Sequence, residues 1–271
     1  MNAGFTYMRN RHNEPMTDDQ IRKVAPSVFA DEKHESRSDR YAYIPTSQVL
    51  DALRAEGFQP YMAIQQRVND PAKREHTKHL IRFRHATQMD APEWPELLLM
   101  NSHDGTSSYK MMTGMFRLVC SNGMVCGRSL GEIAVPHKGN VLDKVRDGAN
   151  EILDGFGLIT EVKDSMRTLP LNEGERLAFA RAALALRYDE KVSPAPITET
   201  QILRPRRSSD TGTDMWTTFN VLQENITRGG ISGRNATGKR TTTRAITGLD
   251  SNVGVNRGLW VLAEEMKKLK R

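Results

Sequence analysis

Cysteine and long apolar runs are both scarce in this chain of 271 residues. Its 2 cysteines cannot build a disulfide scaffold, and its richest short apolar run, at residues 97–100, is far below the roughly 20 residues that span a bilayer. The first residues contain no apolar segment of the kind found in secretory signal peptides. We therefore expect a cytoplasmic protein that has no role in a membrane.

Motifs of common enzymes are also lacking. Residues 233–239 imitate the phosphate loop of ATPases, but Arg240 stands where that motif requires serine or threonine, and no apolar strand precedes it. His103 and Asp104 could form half of a catalytic dyad with a nearby serine or Cys120 as nucleophile, which leaves a hydrolase as an alternative. Because neighbours in a turn rarely face one another, we predict no catalytic residue and no cofactor.

The spacing of the two cysteines argues against a metal site. If the Asn-Gly pair at 122–123 occupies a two-residue hairpin turn, Cys120 lies opposite Val125 and Cys126 lies opposite Val119. The two thiols then project from opposite faces of the hairpin. Structural zinc also requires a second pair of ligands, so the sequence predicts no bound metal.

Turn signals and changes in hydrophobic period predict an α+β fold. Alternating apolar residues, with an Asp-Gly turn signal at 104–105 and the Asn-Gly signal at 122–123, predict an antiparallel β-meander of four to six strands within 41–135. After Pro136 the period becomes helical, which predicts a long helix packed against the meander. Gly155 and Gly157 are the points at which that helix is expected to kink or break.

Two prolines, at 194 and 196, predict a linker and therefore a domain boundary. The preceding helix is expected to begin at the capping residue Asn172. We predict an N-terminal arm at 1–40, where charged residues leave little to bury, an α+β core domain at 41–191, and a helical C-terminal part at 197–271.

The most informative feature is a basic segment in the C-terminal part. Residues 227–249 contain no acidic side chain, and the chain as a whole carries a formal net charge of +6. Glycine, serine, threonine and asparagine separate the cations, which is typical of a flexible loop that follows a phosphate chain. The candidate nucleic-acid-binding cations of this segment are Arg228, Arg234, Lys239, Arg240 and Arg244.

Cations on the predicted strands are further candidates. Arg82 and Arg84 alternate with Ile81 and Phe83, so they are expected to project from the face opposite the apolar one. The sheet candidates, provided that they face outward, are Arg82, Arg84, Lys110 and Arg117.

Aromatic residues near these cations have two possible roles. Trp216, Phe219 and Trp260 flank the basic segment at the spacing of a helical core, so we expect them to be packing residues. Tyr61 and Tyr109 are better candidates for stacking on nucleobases if they face outward.

Three motifs together resemble a known family. They are RLVCSNGM at 117–124, SHDGT at 102–106 and WTTFNVLQEN at 216–225. The sequence resembles, from about Phe29 onward, the phage/plasmid-like protein family of prophages, plasmids and other mobile elements, which is catalogued as a domain of unknown function. The resemblance implies a mobile-element setting and no particular reaction.

A looser resemblance concerns architecture. A β-like segment around Tyr43, a short helix ending near Gly57, a meander and a long helix follow one another in an order similar to that of Erf-type single-strand annealing proteins of phages. That resemblance implies an oligomer that binds single strands in a basic groove.

We therefore predict a non-enzymatic nucleic-acid-binding protein of a mobile element. It is expected to bind single-stranded DNA and to promote annealing as a homo-oligomer. One alternative is a protein-interaction module that antagonises host defence or aids maintenance of the element. The other is the hydrolase that would use His103 and Asp104.

Overall fold

The computed structural model describes residues 5–9, 14–32, 43–88, 93–117, 122–127, 131–137 and 139–270. The chain divides into two compact units, Met1–Gly157 and Leu158–Arg271. The division therefore lies before the 192–196 segment that the two prolines mark, and the helices between 158 and 190 belong to the second unit.

The first unit contains a sheet of 7 antiparallel strands in the order β1-β2-β3-β4-β5-β6, with β7 also paired to β5. The strands are β1 Phe5–Arg9, β2 Phe58–Gln66, β3 His79–His85, β4 Glu93–Asn101, β5 Tyr109–Arg117, β6 Asn122–Val125 and β7 Glu132–Val135. Six of them lie within the predicted interval. The other, β1, comes from the segment that was predicted to be an arm.

Strand β4 shows why the meander is recognisable in the sequence. All of its residues are buried, as expected of a central strand with a continuous apolar run. The Asp-Gly signal lies in the turn between β4 and β5, where Gly105 adopts a φ of 80° that favours glycine. The predicted α+β fold, an antiparallel meander with a helix packed on it, is confirmed.

The predicted hairpin register after β5 is wrong. Asn122 and Gly123 do not form the turn but begin β6, where they pair with Arg117 and Phe116. The connection between the two strands consists of residues 118–121, which lie outside the described residues, as does Cys120. Cys126 is buried.

Among the described residues of the first unit, three α-helices accompany the sheet: α1 Asp18–Val24, α2 Thr46–Ala55 and α3 Val141–Asp154. Helix α3 packs on the sheet at Gly148, where a β-carbon would lie 2.5 Å from the Met111 side chain. The helical run ends at Gly155, which caps α3, and α4 Phe156–Arg167 follows. The predicted break in the long helix is thereby confirmed.

The second unit is helical, as predicted for the C-terminal part. Its further helices are α5 Glu173–Ala185, α6 Glu199–Ile202, α7 Met215–Arg228 and α8 Leu249–Leu269, with a two-stranded sheet of β8 Ser232–Arg234 and β9 Arg240–Thr242. Asn172 caps α5, as expected. Trp216, Phe219 and Trp260 contact one another in the buried core, with ring centroids 5.6 to 6.3 Å apart, so their predicted packing role is confirmed.

None of the helices in the described part of the chain is long and apolar enough to cross a membrane.

Candidate nucleic-acid interface

The basic segment is an ordered hairpin and not the flexible loop that its composition predicts. Strands β8 and β9 pair antiparallel, and the pairing continues outward because Gly230 donates to Thr243 O and Thr243 donates to Ile231 O. We call residues 230–244 the cationic hairpin. Short polar strands without apolar alternation give no strand signal in the sequence, which explains the error.

The tip of the cationic hairpin is held by its own side chain. Asn235 Oδ1 accepts hydrogen bonds from the backbone amides of Thr237 and Lys239, at 3.1 and 2.9 Å, and from the Thr237 hydroxyl. Gly238, with a φ of 77°, donates to Asn235 O. Because these amides are already bonded, the tip is not a phosphate loop, and the cationic side chains remain as its means of binding an anion.

Four of the five predicted loop cations are exposed and unneutralised. Arg234, Lys239, Arg240 and Arg244 make no ion pair with any carboxylate in the described part of the chain. Arg234 lies directly opposite Arg240 in the strand register, so both side chains leave the same face of the hairpin. Like charges in that position destabilise a strand pair, and a bound anion would relieve the repulsion.

Arg228 differs from these four. Its Nη1 lies 2.8 Å from Glu224 Oε1, and the Glu224 carboxylate is buried. The same carboxylate also accepts a bidentate pair from Arg207, at 2.6 and 2.8 Å. Arg228 is therefore partly neutralised, although about half of its side chain, 47%, stays exposed.

Other arginines fix the base of the cationic hairpin. Arg206 donates to Asn225 Oδ1, at 2.7 Å, and to the Gly229 carbonyl. Arg187 donates to the carbonyls of Ile226 and Arg244. The Arg-Pro-Arg-Arg run at 204–207 carries no local signal of this role, because only the fold brings it to the hairpin.

The hairpin is also attached to the 192–196 segment. The Arg234 amide donates to Pro196 O at 2.8 Å, and a β-carbon at Gly233 would lie 1.9 Å from the same oxygen. Only glycine permits this approach. The proline-rich segment therefore supports the hairpin inside the second unit.

Two clefts flank the cationic hairpin. One, of about 650 Å³, lies beside Thr198 and Gln201 and is lined by Arg234 and Arg240. The other, of about 380 Å³, lies between the 187–196 segment and the hairpin and is lined by Tyr188 and Arg244, among others. We call the second one the Tyr188 cleft. Neither cleft has an acidic lining residue.

The sheet arginines do not face outward, so their predicted role in binding is corrected. Arg82 and Arg84 are buried, and both guanidinium groups bond to the buried carboxylate of Glu96. Arg84 also lies over the rings of Tyr61 and Trp94, at 4.3 and 4.4 Å. Burial lowers the pKa of Arg84, and Glu96 opposes that shift. These arginines stabilise the interior of the first unit.

The remaining sheet candidates differ from each other. Arg117 forms an ion pair with Glu93 at 3.2 Å, and its side chain is mostly buried. Lys110 on β5 is half-buried and forms no ion pair within the described ranges. Tyr61 and Tyr109 are both buried, so the expectation that they stack on nucleobases is wrong.

A match to a described domain family covers most of the chain. Residues 33–260 match the family described as "Domain of unknown function (DUF932)". The chain belongs to this family. It is similar to two proteins of Escherichia coli (strain K12), the UPF0380 proteins YfjQ and YafZ, each 52% identical over 256 residues, which cover 94% of this chain and 93% of either relative. No solved structure matches. The resemblance to a domain-of-unknown-function family is thereby confirmed.

Within this DUF932 chain, the motif at 216–225 has a structural explanation. Its polar residues Gln223, Glu224 and Asn225 are buried on α7. Asn225 Nδ2 donates to the carbonyls of Ile202 and Arg204, at 2.6 and 2.9 Å, in addition to accepting from Arg206. The motif therefore organises the segment that anchors the cationic hairpin.

The motif at 102–106 belongs to a buried histidine network. Ser27 Oγ donates to Gln65 Oε1, so His79 Nδ1 donates to Ser27 Oγ, at 2.8 Å, and His79 Nε2 accepts from the Thr46 hydroxyl, at 3.1 Å. Thr46 then accepts from His103 Nε2, at 3.1 Å. Both imidazoles are neutral. Burial lowers the pKa of His79 to about 4, and burial with the neighbouring histidines lowers the pKa of His103 to about 2.

His103 and Asp104 do not form a dyad. The Asp104 carboxylate accepts hydrogen bonds from the Thr106 amide and hydroxyl, at 2.9 and 2.6 Å, which is a turn role. Burial by itself raises the pKa of Asp104, but the hydrogen bonds from Thr106, together with the other polar neighbours, outweigh it, and the pKa is lowered. Among the residues that the structure describes, no group of three or more histidine, cysteine, aspartate or glutamate side chains could hold a metal ion.

Proposed function

We propose that this protein binds single-stranded DNA through the phosphate contacts of its cationic hairpin. The observation that carries the proposal is the direct opposition of Arg234 and Arg240 in the strand register. Lys239 and Arg244 are exposed on the same hairpin, and no carboxylate of the described residues is paired to any of the four. A polyanion offsets this repulsion and releases its own counterions on binding.

The composition of the hairpin surface favours nucleic acid over an acidic protein. Its exposed residues are cations, threonine, serine, asparagine, glycine and the small Ala236, and none of its residues is an exposed large apolar side chain. Protein interfaces are usually centred on buried aromatic or aliphatic anchors, which the hairpin does not offer. Hydroxyl and amide groups, by contrast, are ordinary partners of phosphate oxygens.

The rigidity of the hairpin also supports the proposal that it binds nucleic acid. Arg187 and Arg206 bond to its flanking carbonyls, and Pro196 O holds β8. Binding of a nucleic acid strand to preformed cations costs less conformational entropy than binding to a loop that must first become ordered. A role in a mobile element, and annealing by a homo-oligomer in the cytoplasm, extend this proposal.

The test measures binding of labelled single-stranded and double-stranded oligonucleotides to the full chain at two salt concentrations. The variant Arg234→Ser/Arg240→Ser is compared with Arg146→Ser/Lys268→Ser, which removes the same charge from exposed ion pairs. We expect the first variant to lose about 1.4 units of the slope of log affinity against log salt, and the control to keep the wild-type slope. Absence of single-strand binding by the wild type would contradict the proposal and favour the protein-interaction module.

A further inference from the structure

The Tyr188 cleft contains an aromatic ring beside the cationic hairpin. Tyr188 is half-buried, and the guanidinium of Arg187 lies 5.3 Å from its ring centroid. Aromatic rings and guanidinium planes are the two surfaces on which unpaired bases stack. A stacking surface therefore lies next to the hairpin that carries the unneutralised cations.

The walls of the cleft are fixed before any ligand binds. Arg187 is held by two carbonyls, including that of Arg244, so its position beside the ring is preorganised. The turn after α5 is closed by Asp189, whose carboxylate accepts hydrogen bonds from the amides of Lys191 and Val192 at 2.8 and 3.2 Å. The carboxylate of Asp189, which follows Tyr188 in the chain, therefore serves the turn.

The hairpin side of the cleft offers groups that suit the edge of a base. Three donors converge on Asn235 Oδ1, which fixes the orientation of the amide and leaves Nδ2 available to donate. Thr241 and Thr242 also line the cleft. Its volume of about 380 Å³ is within the range of small-ligand sites.

A phosphate group has a partner at the same place. Arg244 lines the cleft, its side chain is exposed, and no carboxylate within the described residues neutralises it. A nucleotide whose base enters the cleft would thus place its phosphate near a cation. Because a base must leave the duplex stack to enter such a cleft, the cleft selects single strands.

We infer that the Tyr188 cleft receives one unpaired nucleobase of the bound strand, stacked on the Tyr188 ring. This inference rests on the proposed function and adds to it the reason for a single-strand preference. The hairpin cations set the salt dependence of binding, whereas the cleft contributes an affinity that depends on the base and not on salt.

The experiment uses the full chain and two single-stranded oligonucleotides of equal length, one of thymidine and one of abasic sites, which carry the same number of phosphates. We expect the wild type to bind the thymidine strand about 5- to 100-fold more tightly than the abasic strand. Tyr188→Leu is expected to remove most of this difference by weakening only the thymidine complex, with an unchanged salt slope. Tyr188→Phe, which keeps the ring, is expected to retain it.

Two results would overturn the inference. The first is equal affinity of the wild type for both strands, a measurement that does not depend on any variant folding. The second is a folded Tyr188→Leu protein that binds the thymidine strand as tightly as the wild type. If either occurs while Arg234→Ser/Arg240→Ser still lowers the salt slope, the cleft is excluded and the hairpin proposal stands. If the wild type binds neither strand, the proposed function itself fails.

Discussion

Lowering the pH from 7 to 5 is expected to destabilise the first unit through its buried histidines. His79 and His103 are fully buried, and each bonds to the Thr46 hydroxyl. Asn101 Nδ2 also donates to Thr46 Oγ1, at 3.1 Å. The two lone pairs of that oxygen are thus occupied by Asn101 and His103, so a second proton on His79 finds no acceptor there.

The size of the effect follows from the pKa values. An unperturbed histidine has a pKa of 6.5, whereas burial lowers that of His79 to about 4 and that of His103 to about 2. Above pH 6.5 both are neutral in the folded and unfolded chain. Between 6.5 and 4 only the unfolded chain takes up protons, so stability falls as the pH falls. At pH 5 each imidazole lowers the free energy of unfolding by about 2 kcal/mol relative to pH 7.

Urea denaturation followed by circular dichroism at pH 7, 6 and 5 measures this loss. The variant His103→Gln keeps a donor for Thr46 but does not titrate in this range, and it is expected to reduce the pH dependence by about 2 kcal/mol between pH 7 and 5. A free energy of unfolding that stays constant from pH 7 to 5 would refute the reasoning about the histidine network.

Three further outcomes are expected. Glu96→Gln leaves two buried arginines without their carboxylate and is expected to lower the free energy of unfolding by about 3 kcal/mol or more in urea denaturation; a loss below 1 kcal/mol would contradict the buried ion pair. Gly233→Ala is expected to displace the hairpin and weaken single-strand binding without changing the circular dichroism spectrum. The control Gly254→Ala, whose added β-carbon would meet nothing within 4 Å, is expected to bind as tightly as the wild type. Light scattering is expected to show an oligomer, and a strict monomer with and without a long oligonucleotide would contradict annealing.

Much of the fold is predictable because its signals are local. The Asp-Gly turn at 104–105, the capping residue Asn172 and the helix break at Gly155 each act within a few residues of chain. The core spacing of Trp216 and Trp260 depends only on helical periodicity. Such features need no knowledge of which segments become neighbours.

The roles of Arg82, Arg84 and Arg234 depend on contacts between distant segments, and they could not be predicted. Alternation places Arg82 and Arg84 opposite the apolar side chains, but it cannot show that β4 brings Glu96 against them and that the second face of the sheet is buried as well. In the second unit, the ion pair of Arg228 with Glu224 is an i,i+4 pair on α7, a local signal that the helical pattern offered. The position of Arg234 opposite Arg240, by contrast, depends on a hairpin that has no strand signal in the sequence.

The histidine network was missed for the same reason. Ser27, Thr46, His79 and His103 come from four separate segments, and their alignment depends on the strand order β2-β3-β4. One feature of the sequence could have indicated the network: several polar residues lie on strands whose other residues are apolar, as expected of a core.

The most direct test of the account is the salt dependence of single-strand binding when the hairpin loses its cations. Replacing Arg234, Lys239, Arg240 and Arg244 with serine removes four side chains that make no ion pair within the described residues, so the fold is expected to survive. Each lost phosphate contact lowers the slope of log affinity against log salt by about 0.7, and loss of all four is expected to lower it by roughly 3 units. An unchanged slope, in a variant with an unchanged circular dichroism spectrum, would contradict the claim that the cationic hairpin binds the strand.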